Sequence, residues 1–359
     1  ISGVWIMAYT TIDDPSAHFQ TITYSGNGAS RSITNTGNSD LKPDWVWIKE
    51  RNNAVSHRIF DSSRGATKRM FSNNTDAEST QSNSLTAFNT DGFSLGDGGS
   101  VNGGSDTYVA WQWKANGGTT SSNTDGDITT TVQTNSTAGF SIITYTGNGN
   151  NLDTIGHGLG ATPDFAVVKG RTGDNTKRWF VKIPAVCGNS EILEWDTTNG
   201  KSDSGNGIET MGSSTITLGI DTGNVNSTNE NTKTYLCYAF KNIKGYSKIG
   251  SYTGNGNADG VFVYTGFKPA WLMIKSSGSN GDNWVICDNK RDTFNVMENI
   301  LLPNTNSAEF DETSFDFLSN GFKLRQNAAT YNDSGDTFIY MAFAEHPFVS
   351  SKGVPTTAR

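Results

Sequence analysis

One sequence pattern occurs three times along this chain, and it constrains the fold more than any other feature. Each copy contains a Tyr-X-Gly-Asn-Gly motif, a proline, a short apolar segment that ends in lysine, and an aromatic-rich closing segment. The motifs are residues 24–28, 145–149 and 252–256, the prolines are Pro43, Pro163 and Pro269, the lysines are Lys49, Lys169 and Lys275, and the closing segments are 107–113, 234–240 and 337–343. Four landmarks that recur in one order indicate three homologous units, each of domain length and too long for a solenoid repeat.

The residue pattern inside each unit is typical of β-strands. Apolar and aromatic residues alternate with period two in short segments, and Asn-Gly pairs that favour tight hairpins separate these segments. A helical pattern stands out only at residues 293–302, where apolar residues have helical spacing before Pro303. We therefore predict an all-β protein with three tandem β-sandwich domains of jelly-roll or lectin-like type.

The repeat also defines the expected domain boundaries. We assign residues 19–117, 140–245 and 246–349 to the three β-sandwich repeats, 118–139 to a linker or edge strand, 1–18 to an N-terminal segment and 350–359 to a C-terminal tail. Because each unit carries its own set of strands, residues 246–349 are expected to fold alone. Residues 1–6 are interpreted as translated leader sequence before Met7, and a genuine strand is the alternative.

Composition and charge argue against several classes of protein. The 359 residues include 35 acidic and 27 basic side chains, a formal net charge of -8, which disfavours nucleic-acid binding. No segment approaches the roughly 18 consecutive apolar residues of a membrane span. The three cysteines, Cys187, Cys237 and Cys287, lack the paired spacing of a zinc site, and we expect buried free thiols in a reducing cytoplasm.

Several segments carry a resemblance to a known family. They are residues 7–20, 43–49 together with 60–65, 288–295, 341–348 and 353–359. Through them the chain resembles virion structural or tail-fibre-like proteins of marine tailed phages of the cyanophage type, which are built from repeated domains. The resemblance implies a virion-surface location after assembly in the host bacterial cytoplasm, other virion proteins as partners, and a homo-oligomer. It brings no catalytic residues with it.

Signals for catalysis are weak in this sequence. The histidines lack the spacing of a nucleophile elbow or a zinc hydrolase, and residues 199–202 lack the opening glycine of a phosphate-binding loop. Paired acidic residues such as Asp311 with Glu312 could serve glycoside hydrolysis, and the oxygen-rich loops 97–106 and 125–127 could bind calcium, but we interpret all of them as solvated loops and turns. We therefore expect no catalytic residue, no metal site and no cofactor.

Aromatic residues are the remaining candidates for ligand binding, because sugars stack on Trp and Tyr rings. Most of the nine tryptophans fall in the repeated landmarks and are expected in the core. Trp195 and Trp284 lie outside the strongest landmarks and are the candidate ligand-binding residues.

Charged residues at repeated positions are expected to be structural. Lys49, Lys169 and Lys275 end strands and are expected to be solvated, with a salt bridge as the alternative. Loop-fixing ion pairs are expected at two equivalent places, Asp61 with Arg64 and Asp288 with Arg291.

These observations together predict a non-enzymatic phage virion protein, a surface appendage or tail fibre that contacts host-surface glycans, without a nucleic-acid or membrane partner. A capsid or tail decoration protein that binds only the virion is one alternative, and a carbohydrate-active enzyme is another. Recognition is expected in loops such as 96–106 and 220–233, whose lengths differ between the units.

Overall fold

The computed structural model of this protein describes residues 8–172, 177–220, 227–278 and 281–356. The leader interpretation of residues 1–6 and part of the predicted recognition loop 220–233 lie outside these ranges. The described chain is all-β, as predicted, with two four-residue helices and a short 3₁₀ turn. No helix of the described residues is long and apolar enough to cross a membrane.

The elements follow the three repeats in order. The first unit contains a 3₁₀ turn (Pro15–Ala17), β1 (Phe19–Ser25), β2 (Arg31–Ile33), β3 (Trp45–Glu50), β4 (Arg58–Asp61), β5 (Lys68–Arg69), β6 (Ser79–Thr80), β7 (Leu85–Phe88), β8 (Phe93–Leu95), α1 (Gly99–Asn102) and β9 (Thr107–Trp113). The second contains β10 (Ser121–Asn123), β11 (Thr130–Asn135), β12 (Phe140–Thr146), β13 (Thr154–Gly156), β14 (Phe165–Gly170), β15 (Trp179–Lys182), β16 (Glu191–Glu194), β17 (Ser202–Asp203), β18 (Ile208–Met211), β19 (Thr215–Leu218) and β20 (Thr234–Phe240). The third contains β21 (Ser247–Thr253), β22 (Phe262–Tyr264), β23 (Phe267–Ser276), β24 (Val285–Asp288), β25 (Met297–Ile300), β26 (Phe310–Leu318), β27 (Gly321–Leu324), α2 (Ala329–Asn332) and β28 (Thr337–Pro347).

Each unit has the same pair of antiparallel sheets. The sheets that we call inner contain the strand orders β1-β9-β3-β4, β12-β20-β14-β15 and β21-β28-β23-β24, and the second order is part of an eight-stranded sheet, β10-β11-β12-β20-β14-β15-β16-β17. The sheets that we call outer have the orders β2-β8-β7, β13-β19-β18 and β22-β27-β26-β25. One strand order therefore recurs three times, while the jelly-roll or lectin-like assignment stays a prediction.

The inner sheets are apolar on both faces, and this decides how the units are arranged. In β3, Val46 and Ile48 join a core cluster between the inner and outer sheets of the first unit. The alternate residues Trp45 and Trp47 point to the opposite face and join a second cluster, which includes residues of all three inner sheets. Three cores thus belong to single units, and a fourth, which we call the central core, is shared by all three.

Aromatic rings from different units contact one another directly in the central core. Trp45 of the first unit and Tyr238 of the second have ring centroids 4.6 Å apart. Phe343 of the third unit lies 5.2 Å from Phe19 of the first and 5.7 Å from Phe240 of the second. This packing argues against independent folding of residues 246–349, because isolation would expose a large aromatic face to water, and the expectation itself stays untested.

The Tyr-X-Gly-Asn-Gly motif is hydrogen-bonded to a second loop of the same unit in all three units. In the first unit the Tyr24 hydroxyl donates to the Val101 carbonyl oxygen at 2.8 Å, and Gly28 N donates to the Asn102 carbonyl oxygen at 2.8 Å. The buried Asn102 amide in turn donates to the carbonyl oxygens of two further turns. A Cβ on Gly26 would lie only 2.0 Å from a carbonyl oxygen, which explains the first glycine. Asn229 and Asn332 repeat the role of Asn102 in the other units.

The structure defines three local features that the sequence left open or misplaced. The helical spacing at residues 293–302 does not form a helix, because this segment contains β25; a register shift between Met297 and Asn299 lets Met297 and Ile300, three residues apart, both be buried. The segment 118–139 contributes β10 and β11, which extend the second inner sheet beyond β12. The pairing register also places Ser247, and not Tyr246, at the position of Phe19 and Phe140.

We expect a fragment of residues 246–349 to lack a cooperative thermal transition, because its inner sheet loses the partners of Phe343 and its neighbours. Phe343→Ala in the full chain should cost about 3–5 kcal/mol of unfolding free energy, as for other buried aromatic truncations. Calorimetry of the fragment and urea unfolding of the variant measure both effects. A fragment that melts cooperatively on its own would show that the central core is dispensable.

Candidate functional site

Three side chains at equivalent positions join the units through a cyclic set of hydrogen bonds. The bonds run from His57 Nε2 to the Leu302 carbonyl oxygen (3.0 Å), from the Trp179 indole to the Phe71 carbonyl oxygen (2.8 Å) and from the Trp284 indole to the Glu194 carbonyl oxygen (3.0 Å). His57 Nδ1 accepts from the Trp47 indole at 2.9 Å, so Nε2 carries the proton and donates. Burial keeps the pKa of His57 well below its usual value, which maintains this neutral tautomer.

The structure places both candidate ligand-binding tryptophans in the central core. Trp195 is 1% exposed and Trp284 is 0% exposed. The Trp195 ring meets Trp47 edge-on at 4.9 Å and Trp179 at 5.6 Å. A sugar needs an accessible ring face for stacking, and neither indole has one. Both residues therefore contribute to the packing between the units. The strand register, which aligns Trp284 with Trp179, is visible only in the structure.

The predicted ion pairs are confirmed, and both are completely buried. Arg64 Nε contacts Asp61 Oδ2 at 2.5 Å and Arg291 Nε contacts Asp288 Oδ2 at 2.6 Å, with no exposure of any of the four side chains. Their neighbouring carboxylates hold the pKa values of both arginines above the ordinary value. Each pair also joins two units, because further bonds reach the aspartates from elsewhere in the central core.

These further bonds show where the threefold pattern is broken. The Tyr238 hydroxyl of the second unit donates to Asp61 at 2.7 Å, and the Trp111 indole of the first unit donates to Asp288 at 3.0 Å. The second unit has Ile183 at the aspartate position, and the third unit has Met341 at the position of Tyr238 and Trp111. At the interface between the second and third units, apolar residues thus replace both the hydrogen-bond donor and the acceptor.

We expect Asp288→Ile alone to cost about 3–5 kcal/mol of unfolding free energy, because it leaves Arg291 buried beside one fewer carboxylate. The double variant Asp288→Ile with Arg291→Val reproduces the second unit, which has Ile183 and Val186 at these positions, and should be less destabilised. Urea unfolding of both variants measures the difference. A single variant that is as stable as the double variant would show that Arg291 does not need this partner.

The recurring lysines are buried, which corrects the expectation of solvated strand ends. Lys49, Lys169 and Lys275 are each 0% exposed. Their ammonium groups donate to carbonyl oxygens, for example from Lys169 Nζ to Thr75 at 2.8 Å across the first and second units. Desolvation lowers the pKa of Lys169 to about 7 and the pKa values of Lys49 and Lys275 to about 8. The sequence pattern did not predict this burial, because a lysine that follows four apolar residues usually lies at the exposed end of a buried strand.

We expect the free energy of unfolding to increase between about pH 7 and pH 8.5. The unfolded chain keeps these lysines protonated up to a pKa of about 10.4, whereas the folded chain releases their protons near pH 7 to 8, so the unfolded state binds more protons in this range. Each lysine contributes a slope of at most about 1.4 kcal/mol per pH unit. Urea unfolding across this range measures it. Lys169→Met should flatten the dependence and the exposed control Lys352→Met should not; equal slopes in all three proteins would contradict this origin.

The structure does not bring the weak catalytic candidates together. Within the described ranges, no group of three or more His, Cys, Asp or Glu side chains could hold a metal ion. Asp127 accepts hydrogen bonds from the Thr154 amide and hydroxyl, as a turn-fixing residue does. Asp311 is exposed on β26, and the three cysteines are buried free thiols, as predicted.

The exposed aromatic residues of the described chain lie in the third unit. They are Phe262, Tyr264, Phe294 and Phe310. Phe262 and Tyr264 are 44% and 53% exposed and point outward from β22, while Val263 between them is buried in the core of the third unit. We call Phe262 and Tyr264 the aromatic platform. It is the strongest candidate for a ligand-contacting surface, because exposed apolar side chains that share one face commonly mark binding sites.

The other two units show that the fold does not require this platform. The register of β2 and β13 places Ser32 and Thr154 at the position of Phe262. Charged groups flank the rings, since Lys323 pairs with Phe262 across the strands and its ammonium group contacts Asp259 at 2.7 Å. The Tyr264 hydroxyl lies 3.0 Å from the Tyr9 hydroxyl. Sequence periodicity alone could not distinguish this strand from a buried one, because its aromatic residues resemble those of the core.

A family profile matches nearly the whole chain. The profile is described as Domain of unknown function (DUF7483) and covers residues 14–347, from the turn before β1 to the end of β28, so that it includes all three units. No curated protein matches the chain at a significant level. The match does not bear on the resemblance to phage virion proteins, which stays a prediction. This chain therefore belongs to the DUF7483 family, whose function is not known.

Proposed function

We propose that this chain is a non-enzymatic virion protein of a tailed phage, displayed at the virion surface as an appendage or tail fibre, and that it contacts host-surface glycans through the aromatic platform. The observation that carries the glycan contact is the exposure of Phe262 and Tyr264 on one face of β22. The resemblance to phage virion proteins supports the location, which includes assembly in the host cytoplasm and other virion proteins as partners.

The platform has the chemistry that glycan recognition uses. An aromatic ring face binds the C–H groups of a sugar, and residues two apart on a strand point to the same side, so both rings are presented together. Lys323 lies opposite Phe262 in the strand register, and Asp316 lies opposite Lys323, so charged side chains that can bond hydroxyl groups lie beside the ring. Lys323 contacts Asp259 at 2.7 Å and Asp316 contacts Arg325 at 3.4 Å, which holds both side chains in place. The contact area is small, and we expect weak binding at each site that becomes effective when many copies are displayed together.

We expect the double variant Phe262→Ser with Tyr264→Thr to lose retention on host cells at least tenfold when displayed in many copies. Serine and threonine are the residue types that the first unit has at the same register positions, Ser32 and Thr34, so the fold should tolerate both substitutions. Pull-down of fluorescent multimers on host cells, and on polysaccharide extracted from them, measures retention. Phe294→Ser, which removes an aromatic side chain that is 77% exposed elsewhere in the third unit, is the matched control.

The same experiment separates the alternatives. A platform variant that binds cells normally but no longer assembles on purified virions would favour a capsid or tail decoration protein. Release of reducing sugar from the polysaccharide by the unmodified protein would favour a carbohydrate-active enzyme. Loss of cell retention with normal assembly and no sugar release is the result that the proposal requires.

A further inference from the structure

A cavity of about 230 Å³ opens between the first and third units, where β1 lies beside the end of β28. The apolar residues that line it are Phe19, Ala270 and Ala344. Its polar walls include Thr21 and Asn289. This volume is below the roughly 300–1,000 Å³ of drug-sized ligand pockets, and it suits one small ligand and not a chain of several rings.

The equivalent place between the first and second units is filled by the protein itself. There Gln133 of β11 accepts from Gly118 N at 2.7 Å, and its amide donates to the Ser62 and Ser63 hydroxyls at 2.9 and 2.8 Å. The Asp44 carboxylate belongs to the same group of hydrogen-bonded side chains, because it accepts from the Ser62 hydroxyl at 2.7 Å. A hydrogen-bonded carboxamide and carboxylate therefore close one interface.

Two sequence differences open the cavity at the other interface. The third unit has Pro269 followed by Ala270 where the first has Pro43 followed by Asp44, so the carboxylate is absent. β1 is the edge strand of its sheet, whereas β11 covers the equivalent strand of the second unit. The cavity is thus a departure from the repeat and not a consequence of it.

The cavity is lined by a buried polar side chain, Thr21. Thr21 is 4% exposed, and its hydroxyl oxygen makes no hydrogen bond to the residues that the structure describes. Ile142 and Ile249 occupy the same register position in the other units and pack in the central core. A hydroxyl in place of an isoleucine at this depth destabilises the fold unless a ligand or water satisfies it.

A second buried polar group lines the same cavity. Asn289 is 4% exposed; its backbone N–H donates to the Ala270 carbonyl oxygen at 2.9 Å, which fixes the residue at the wall. Its side-chain amide offers both a donor and an acceptor. Thr21 and Asn289 can therefore satisfy hydroxyl groups on a ligand that contacts the apolar residues of the cavity.

The charged groups nearby favour a neutral ligand. The Asp14 carboxylate already accepts from Ser16, Asn38 and Ser39. Glu345 is paired with Lys268 at 3.2 Å. Lys290 is exposed at the rim, where water solvates it. We propose that this cavity binds a single neutral sugar ring. This inference extends the proposed function by adding a second glycan contact. The cavity lies beside strands of the inner sheets, whereas the aromatic platform lies on β22 of an outer sheet.

Saturation-transfer NMR and titration with galactose, glucose, mannose and N-acetylglucosamine test the inference, with glucuronic acid as the charged comparison. We expect at least one neutral sugar to bind with a Kd of about 1 mM, which is typical of a small site. Thr21→Ile introduces the residue of the other two units, fills the cavity and should weaken binding at least tenfold without lowering Tm. Thr23→Ile, on the same strand but outside the cavity, should leave binding unchanged.

The outcomes separate this inference from the proposed function. Binding of glucuronic acid alone, no neutral sugar bound below about 10 mM, or equal binding by the Thr21→Ile variant would overturn the cavity site. The platform variant Phe262→Ser with Tyr264→Thr should still bind the monosaccharide. If it does, and cell retention is nevertheless normal, the platform contact fails while the cavity site stands.

Discussion

The central core, in which three inner sheets pack their second apolar faces against one another, is the interaction on which the rest of the structure depends. A sheet that is apolar on both faces needs two partners. Each inner sheet finds one in the outer sheet of its own unit and the other in the remaining two inner sheets. The three units therefore share one core, and a single family profile spans all of them.

Polar groups inside this core set the arrangement of the units. The cyclic bonds from His57, Trp179 and Trp284 each require the neighbouring unit to present a carbonyl oxygen at one place. An apolar interface alone tolerates small shifts, whereas a buried donor without its acceptor is costly. The same reasoning applies to the buried lysines, whose ammonium groups are held by carbonyl oxygens of adjacent segments.

The repeat also separates structural residues from candidate functional ones. Residues that all three units share, such as the motif glycines and Lys49, are explained by packing and hydrogen bonding inside the molecule. Features of a single unit are not explained in this way. The aromatic platform and the cavity beside Thr21 are both departures of one unit or one interface from the pattern: the platform exposes two rings, and the cavity contains a buried hydroxyl group for which the described residues supply no hydrogen-bond partner.

The sequence by itself determined the three units, the all-β class and the pairing of Asp61 with Arg64, because strand periodicity, turn residues and contacts three residues apart are local properties. Only the tertiary structure decided that the units share a core, that Trp195 and Trp284 are buried in it and that Lys169 is enclosed. Periodicity shows that a strand has two apolar faces but not what covers each one. The exposure of Phe262 and Tyr264 could not be predicted from the sequence for the same physical reason. An aromatic residue on a strand has the same local sequence pattern whether a second sheet or water covers its side chain.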